Sequence, residues 1–252
     1  MPVLDPSAFS AVLFDLDGVL TDTARLHRQA WKQAFDAFLE WRAAGGPWQP
    51  FDADLDYHAY VDGKLRDDGV QAFLQARGLS LPLGDLNAPA SLTSVRGLSA
   101  HKNALFVERL ERDGVEVYES STALLRQLRA AGLRTAVVSS SKNCLQVLRS
   151  VGIDALFEVR VDGVVAGERA LAGKPDPATF LAAAAELGVP PKAGIVVEDA
   201  RAGVEAGRRG AFGLVIGIDR QSCPEALRAA GADWVVSDLA EVRLKEGCDA
   251  AP

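Results

Sequence analysis

Two hydrophobic patterns alternate along the second half of the chain, and together they predict a parallel sheet flanked by helices. Between Tyr118 and Leu239, short apolar runs typical of buried strands are separated by segments with the spacing of amphipathic helices. Strands are predicted at residues 135–139, 195–198, 214–218 and 234–236, and helices at residues 122–131, 143–151, 177–187 and 200–209. A glycine follows each of these helices, at Gly132, Gly152, Gly188 and Gly210, as is typical of helix C-termini. This alternation predicts an α/β core with helices on both faces of the sheet.

The first half of the chain adds one strand and a long insertion. An apolar run at residues 11–14 predicts a strand of the same sheet. From Thr23 to Glu116 the strand pattern is missing, and helices are predicted at residues 24–42, 68–77 and 99–112. We therefore expect a core domain of residues 1–22 and 117–252, and a helical cap domain of residues 23–116 inserted after the first strand. An all-helical insert in this place suggests a cap over an active site.

The first strand ends in two carboxylates, Asp15 and Asp17, which Gly18 follows. Open α/β sheets bind their ligands at the carboxyl ends of the strands. Burying two neighbouring carboxylates is costly, and a bound cation removes that cost. Mg²⁺ suits such a site because it prefers oxygen ligands. The alternative is a polar turn after a strand, which the other segments described below disfavour.

Composition and charge argue against several classes of function and location. The chain has 252 residues, of which 48% are hydrophobic and 24% charged, as in ordinary soluble globular proteins. The net charge of −7 argues against a nucleic-acid-binding groove. Neither a secretory leader pattern nor an apolar stretch of membrane-spanning length is found. The three cysteines, at positions 144, 223 and 248, form neither a metal-binding nor a disulfide pattern. We therefore expect a cytoplasmic protein without nucleic-acid or membrane partners, and a monomer.

Four short segments of the core carry a resemblance to a known family. They are DLDG at 15–18, VSSSKN at 138–143, GKPDP at 173–177 and VEDA at 197–200. In this order they resemble the haloacid dehalogenase-like phosphotransferases, and within them the β-phosphoglucomutase group. The sequences VDGKLR at 61–66 and HKN at 101–103 look like cap motifs of the sugar-phosphate mutases in that group. The resemblance implies a Rossmann-like parallel sheet core with an inserted helical cap.

The resemblance also implies roles for the core residues. Asp15 would be the nucleophile that forms an aspartyl-phosphate, and Asp17 the general acid and base. Ser139 and Lys174 would contact the transferring phosphoryl group. The Mg²⁺ ligands would come from four residues, Asp15, Asp17 through its backbone carbonyl, Glu198 and Asp199. Adjacent side chains of a strand point to opposite faces, so Asp199 is the firmer ligand and Glu198 is either a ligand or a partner of one.

A second phosphate-binding locus is the feature that separates a mutase from a simple phosphatase. Arg66, which shares its motif with Gly63, would bind the phosphate that is not transferred. Ser141, Lys142 and Asn143 would open a helix whose backbone N–H groups favour anions. A surface arginine beside acidic neighbours is the alternative for Arg66.

Four more residues of the insertion are candidates for substrate binding. His27 and Lys102 resemble the residues that couple cap closure to the positioning of Asp17 in this family. A structural histidine is an equally open alternative. Trp31 is either an aromatic residue facing the sugar or an anchor of the core. Thr23 either caps the first helix or assists Asp17.

The chain departs from the compact mutases in its cap. Residues 45–51 and 78–93 are additions rich in proline and glycine. Asp62 stands where compact members carry a basic residue. Both differences lie in the cap, on the side that determines substrate specificity in this family.

The resemblance thus implies a Mg²⁺-dependent phosphomutase acting on a small phosphorylated sugar. The reaction that it favours converts β-D-glucose 1-phosphate to glucose 6-phosphate through a 1,6-bisphosphate. A phosphatase with the same core is the alternative, because sequence does not tell whether water or a sugar hydroxyl accepts the phosphoryl group. A catalytically silent binding module is disfavoured by the joint presence of Asp15, Asp17, Lys174 and Asp199. Dehalogenase chemistry is disfavoured by Asp17 and the Mg²⁺ carboxylates.

Overall fold

The computed structural model describes residues 1–245, and it divides the chain into two compact units. The core unit consists of Met1–Leu20 and the chain from Val117 onward, and the helical unit is Thr21–Glu116. The helical unit thus begins two residues before the predicted boundary at residue 23. Cys144 and Cys223 carry free thiols, and Cys248 lies outside the described residues.

The core unit contains a sheet of six strands, all paired in parallel. In spatial order the strands are β4 (Val159–Val161), β3 (Arg134–Val138), β2 (Ala11–Phe14), β5 (Gly194–Glu198), β6 (Leu214–Ile218) and β7 (Trp234–Val236). Every residue of β2 is buried, because strands in the middle of such a sheet are covered on both faces. Strand β4 is absent from the sequence prediction, since three residues with a central arginine give no apolar run. Two short strands, β1 (Val3–Leu4) and β8 (Arg243–Leu244), pair separately.

Helices connect the strands of the core unit. They are α4 (Glu119–Ala130), α5 (Cys144–Ser150), α6 (Gly163–Glu168), α7 (Ala178–Glu186), α8 (Arg201–Arg209) and α9 (Pro224–Ala230). Single 3₁₀ turns occupy Pro6–Ala8, Asp154–Leu156, Pro191–Ala193 and Leu239–Glu241. The sequence predicts neither α6 nor α9, because six or seven residues are too few to establish a helical period. The parallel sheet with flanking helices confirms the predicted α/β fold class.

Three of the four helix-ending glycines have the expected left-handed backbone, and Gly210 does not. Gly132, Gly152 and Gly188 have φ values of 90°, 71° and 65°. Gly210 has a φ of −74°, and the left-handed residue is instead Ala211, with a φ of 54°. A Cβ at Gly210 would lie 2.8 Å from the Phe212 ring, so this glycine permits a close contact rather than a backbone turn.

The helical unit has a hydrophobic core of its own. Its helices are α1 (Thr23–Ala43), α2 (Arg66–Ala76) and α3 (Val95–Asp113), with a π-helical turn at Tyr57–Val61. The Phe35 ring lies within about 5 Å, centroid to centroid, of the rings of Trp31, Phe51 and Phe73. Helix α3 begins four residues before the predicted position because the Ser94 side chain caps it, accepting a hydrogen bond from the Gly97 amide. Over the described residues, none of the helices combines the length and apolarity that crossing a bilayer demands.

The added segment at residues 78–93 folds back onto the start of α3. The Val95 amide donates to the Pro82 carbonyl at 2.9 Å, and the Arg96 amide donates to the Leu83 carbonyl at 3.0 Å. The Arg96 side chain donates to the Gly84 carbonyl at 3.0 Å and pairs with Asp67 at 3.6 Å. The segment therefore helps to hold Arg96 of α3 beside Asp67, the neighbour of Arg66 on α2.

Candidate active site

The carboxyl ends of three adjacent strands bring the predicted core residues together. Asp15 directly follows β2, Ser139 directly follows β3, and β5 ends at Glu198. The ladder continues one residue past the strands, since the Asp15 amide donates to the Val197 carbonyl at 2.9 Å and the Ser139 amide to the Val161 carbonyl at 3.1 Å. The site is thus built on the rigid edge of the sheet, where open α/β folds bind ligands.

Lys174 joins all three of these strand ends with one buried ammonium group. Its Nζ atom donates at 2.5 Å to Asp15 Oδ1, at 2.5 Å to Glu198 Oε1, and at 3.0 Å to the Val138 carbonyl. Burial alone would lower the pKa of Lys174, but the two carboxylates outweigh it and the pKa stands above its ordinary value. Lys174 is therefore a buried cation and not a solvated loop residue.

Negative charge is in excess around Asp15. Burial raises the pKa of Asp15 well above its usual range, Lys174 opposes that shift, and Glu198 and Asp17 add to it. Oxygen atoms of Asp15, Glu198 and Asp199 lie within 4.8 Å of one another. Lys174 offsets one of these charges, so a further cation would be stabilised here. The donor set consists of carboxylate oxygens, which fits the predicted Mg²⁺.

A turn after β5 brings the adjacent side chains of Glu198 and Asp199 into the same carboxylate group. Glu198 Oε2 accepts hydrogen bonds of 3.2 Å from the backbone amides of Asp199 and Ala200, so the chain bends before Asp199. Gly18 (φ +84°) packs against Asp199, and a Cβ at this glycine would lie 1.9 Å from Asp199 Oδ2. Glu198 is thus engaged by Lys174 and by the turn, which leaves Asp199 as the firmer candidate ligand.

Asp17 lies outside that carboxylate group, and a serine holds its side chain. The Ser139 hydroxyl donates to Asp17 Oδ2 at 3.2 Å. Among the described residues, the carboxylates that could share an ion are those of Asp15, Glu198 and Asp199. The predictions that Asp17 contributes through its backbone carbonyl and that its carboxylate acts as general acid and base therefore stay predictions.

Two backbone amides of the loop after Ser139 donate hydrogen bonds to serine hydroxyls that precede them in the chain. The Ser141 amide donates to the Ser139 hydroxyl at 3.0 Å, and the Asn143 amide donates to the Ser141 hydroxyl at 3.2 Å. Helix α5 begins only at Cys144, with Asn143 as its N-cap, and Lys142 is exposed. Two of the amides predicted to bind an anion thus already have acceptors, and phosphate binding by these residues stays a prediction.

Among the described residues, no carboxylate forms an ion pair with Arg66 of the helical unit. Its Nη2 atom donates to Asn103 Oδ1, a neutral amide oxygen, at 2.8 Å. Burial lowers the pKa of Arg66 to about 10, and Asp67 opposes the shift. Within residues 1–245, Asp67 forms its ion pair with Arg96, and none is found for Arg66. A half-buried arginine of this kind is suited to bind an anion.

His27, Lys102 and Trp31 form one cluster of the helical unit, in which Lys102 and Trp31 are buried and His27 is half-buried. Lys102 Nζ donates to His27 Nδ1 at 2.5 Å and lies 5.0 Å from the centre of the Trp31 ring. The Trp31 side chain is only 4% exposed and stacks on Phe35, which favours its interpretation as a core anchor. The predicted coupling of His27 and Lys102 to Asp17 stays a prediction.

The structure locates three further residues of the helical unit and excludes one of the two roles expected of Thr23. Thr23 is the first residue of α1 and not its cap, a position that Asp22 occupies. The Thr23 hydroxyl shares a 2.8 Å hydrogen bond with that of Thr21. Asp62 is bonded to His58 Nδ1 at 2.8 Å, so its carboxylate is directed to a partner of its own. Gly63 follows with a φ of 72°, in the left-handed turn that leads into α2.

Arg220 contacts the turn that follows β2, although the sequence motifs do not mark it. It lies two residues beyond β6 and donates a 2.9 Å hydrogen bond from Nε to the carbonyl of Gly18. Its only signal in the sequence is its place just after a predicted strand, at the edge where Asp15 and Glu198 also lie.

Comparisons with known proteins identify the family of this chain. Residues 9–210 match the haloacid dehalogenase-like hydrolase family. The beta-phosphoglucomutase of Mycobacterium tuberculosis (strain CDC 1551 / Oshkosh) is 49% identical over 242 residues, covering 94% of this chain and 92% of that protein. The beta-phosphoglucomutase of Bacillus subtilis (strain 168) is 30% identical over 239 residues, covering 93% and 92%. The crystal structure of beta-phosphoglucomutase from Clostridium difficile has a TM-score of 0.71 at 24% identity, covering 92% of each chain, and shows a shared fold.

Proposed function

The chain belongs to the haloacid dehalogenase-like hydrolase family, and from that premise we propose that it is a Mg²⁺-dependent phosphomutase. Its substrate would be β-D-glucose 1-phosphate and its product glucose 6-phosphate. The relatives named beta-phosphoglucomutase support this choice. The observation that carries it is Arg66, a half-buried cation bonded to a neutral amide, in a chain whose core already holds Lys174 for a transferring phosphoryl group.

The proposed reaction is a pair of phosphoryl transfers on Asp15. Starting from phospho-Asp15, the sugar 6-hydroxyl oxygen attacks phosphorus, the bond between phosphorus and the Asp15 oxygen breaks, and Asp17 takes the hydroxyl proton. The resulting 1,6-bisphosphate then presents its 1-phosphate. Asp15 attacks that phosphorus, the bond from phosphorus to the C1 oxygen breaks, and Asp17 returns the proton to that oxygen. Glucose 6-phosphate leaves, and phospho-Asp15 is restored.

Residues at the strand ends would neutralise the negative charge of the transferring phosphoryl group. Asp15, Asp199 and the Asp17 carbonyl would hold Mg²⁺, with Glu198 fixing Lys174. When bound, Mg²⁺ neutralises charge on the transferring phosphoryl oxygens. Lys174 supplies a second positive charge from a fixed position, since Asp15, Glu198 and the Val138 carbonyl restrain its ammonium group.

A mutase needs to bind the phosphate that is not being transferred, and Arg66 is proposed for that role. A guanidinium group can bind two phosphate oxygens at once. Arg96 takes up the Asp67 carboxylate, which would otherwise compete for Arg66. Under this proposal the protein acts as a cytoplasmic monomer on a small phosphorylated sugar, without nucleic-acid or membrane partners, in keeping with its net charge of −7.

Replacing Arg66 with alanine is expected to separate isomerisation from hydrolysis. We expect kcat/KM for β-D-glucose 1-phosphate to fall about 100-fold or more, because a charge-assisted contact to the second phosphate is lost. Hydrolysis of para-nitrophenyl phosphate, which has no second phosphate, should change by less than about threefold. Coupled assays of glucose 6-phosphate and of para-nitrophenol measure the two rates.

The matched control for this experiment is Arg112→Ala. Arg112 lies in the same unit, is exposed, and bonds to its neighbour Asp113. It should leave both rates unchanged. Small and equal effects of Arg66→Ala on both reactions would reject the second phosphate site and favour a phosphatase.

A further inference from the structure

Arg220 contacts the backbone of the turn that carries Asp17. Besides the bond to the Gly18 carbonyl, its Nη1 atom donates to the Ser237 carbonyl at 3.4 Å. Its remaining nitrogen, Nη2, is buried and has no hydrogen-bond partner among the described residues. Within residues 1–245, no carboxylate forms an ion pair with this guanidinium group. The hydrogen bonds of Arg220 go to backbone oxygens instead.

The face of the Arg220 guanidinium lies on Tyr118. Its central carbon is 3.8 Å from the centre of the Tyr118 ring. The Tyr118 amide in turn donates to the Leu20 carbonyl at 2.9 Å. Leu20 and Tyr118 lie where the chain leaves and re-enters the core unit. Arg220 therefore ties the Gly18 turn to these two segments, through a planar fork and a stacking face that lysine does not have.

Gly18 transmits this restraint to two groups of the proposed site. It is bonded covalently to Asp17, and its backbone packs so closely on Asp199 that a Cβ would lie 1.9 Å from Asp199 Oδ2. The carbonyl that Arg220 holds belongs to the Gly18–Val19 peptide, which is joined through the Gly18 Cα to the peptide that carries the Asp17 carbonyl. A displacement of the Gly18 backbone would therefore move the Asp17 carbonyl and disturb Asp199 together, and the hydrogen bond from Arg220 opposes that displacement.

We propose that Arg220 is a positioning residue of this active site. It restrains the Gly18 backbone so that Asp17 and Asp199 keep the arrangement needed for proton transfer and for Mg²⁺ binding. The part that concerns proton transfer rests on the proposed function. The part that concerns Mg²⁺ rests only on the carboxylates at the strand ends.

The test compares Arg220→Met, which removes the charge and the donors, with Arg220→Lys, which keeps the charge. For Arg220→Met we expect kcat to fall about 10–100-fold with KM for β-D-glucose 1-phosphate within about twofold, because groups that orient reacting residues have effects of this size. Mg²⁺ affinity, measured by isothermal titration calorimetry without sugar, should weaken about tenfold. Arg220→Lys should lose most of the same activity, since it lacks the fork. Arg228→Met, an exposed arginine on α9, is the control.

Two results for Arg220→Met would overturn the proposed positioning role. A raised KM with unchanged kcat would overturn the proposal, because Arg220 would then bind substrate directly. Unchanged kcat and unchanged Mg²⁺ affinity, with a lower unfolding temperature, would also overturn it and leave a purely structural role. If Arg220→Met does not fold, Arg220→Lys gives the same measurements. If the wild type forms no glucose 6-phosphate, the mutase proposal fails, while the Mg²⁺ titration still tests Arg220.

Discussion

Replacing Asp15 with asparagine is expected to lower turnover of β-D-glucose 1-phosphate by more than about 10³-fold while the protein stays folded. An amide nitrogen or oxygen does not replace a carboxylate as nucleophile toward phosphorus. The fold should tolerate the change because burial raises the pKa of Asp15, which means that its charged form is disfavoured in this place. The asparagine oxygen can still accept the hydrogen bond from Lys174.

Two measurements check this prediction, a coupled assay of glucose 6-phosphate and a thermal unfolding curve. The unfolding temperature should stay within a few degrees of the wild type. Asp85→Asn, at an exposed position, is the control and should change neither quantity. Retention of more than about a tenth of the wild-type turnover by Asp15→Asn would refute the assignment of the nucleophile.

Replacing Lys174 with methionine is expected to damage both the fold and the activity. The two carboxylates that share its ammonium group would stay buried without it, and such a loss costs about 3–5 kcal/mol of unfolding free energy. Turnover should fall by more than about 100-fold, since a fixed positive charge at the transferring group is lost. Urea unfolding monitored by circular dichroism measures the first effect, and steady-state kinetics the second.

A double variant tells whether the buried carboxylates cause the instability. Adding Glu198→Gln to Lys174→Met removes one of the charges left behind, so part of the lost unfolding free energy should return, although activity should not. Lys192→Met, an exposed lysine of the core unit, should unfold like the wild type. Lys174→Met with unchanged stability would contradict the buried ion pair described above.

The strand ends could be predicted from the sequence because apolar runs stop there abruptly. Asp15 directly follows a fully buried strand, and Glu198 ends another, so the pattern of residues alone places both carboxylates at the same edge of the sheet. Lys174 lies in a loop with no periodicity. Its position was predicted only by resemblance, and its burial between two carboxylates depends on packing that no local pattern encodes.

The features that the sequence did not predict depend on contacts between distant segments. Arg220 is separated from Gly18 by 202 positions, and a loop arginine ordinarily indicates a solvated side chain. Strand β4 is too short and too polar to be seen as a strand, yet it completes one edge of the sheet by pairing with β3. Gly210 was predicted to be left-handed, but the neighbouring Phe212 ring requires its small size instead.

Analysis of the products by ³¹P NMR tests the central claim most directly. Purified protein would be incubated with Mg²⁺, β-D-glucose 1-phosphate and a trace of glucose 1,6-bisphosphate. A phosphomutase gives glucose 6-phosphate as the main product, with little inorganic phosphate, and that is the expected spectrum. Inorganic phosphate as the main product would contradict the account and identify the enzyme as a phosphatase.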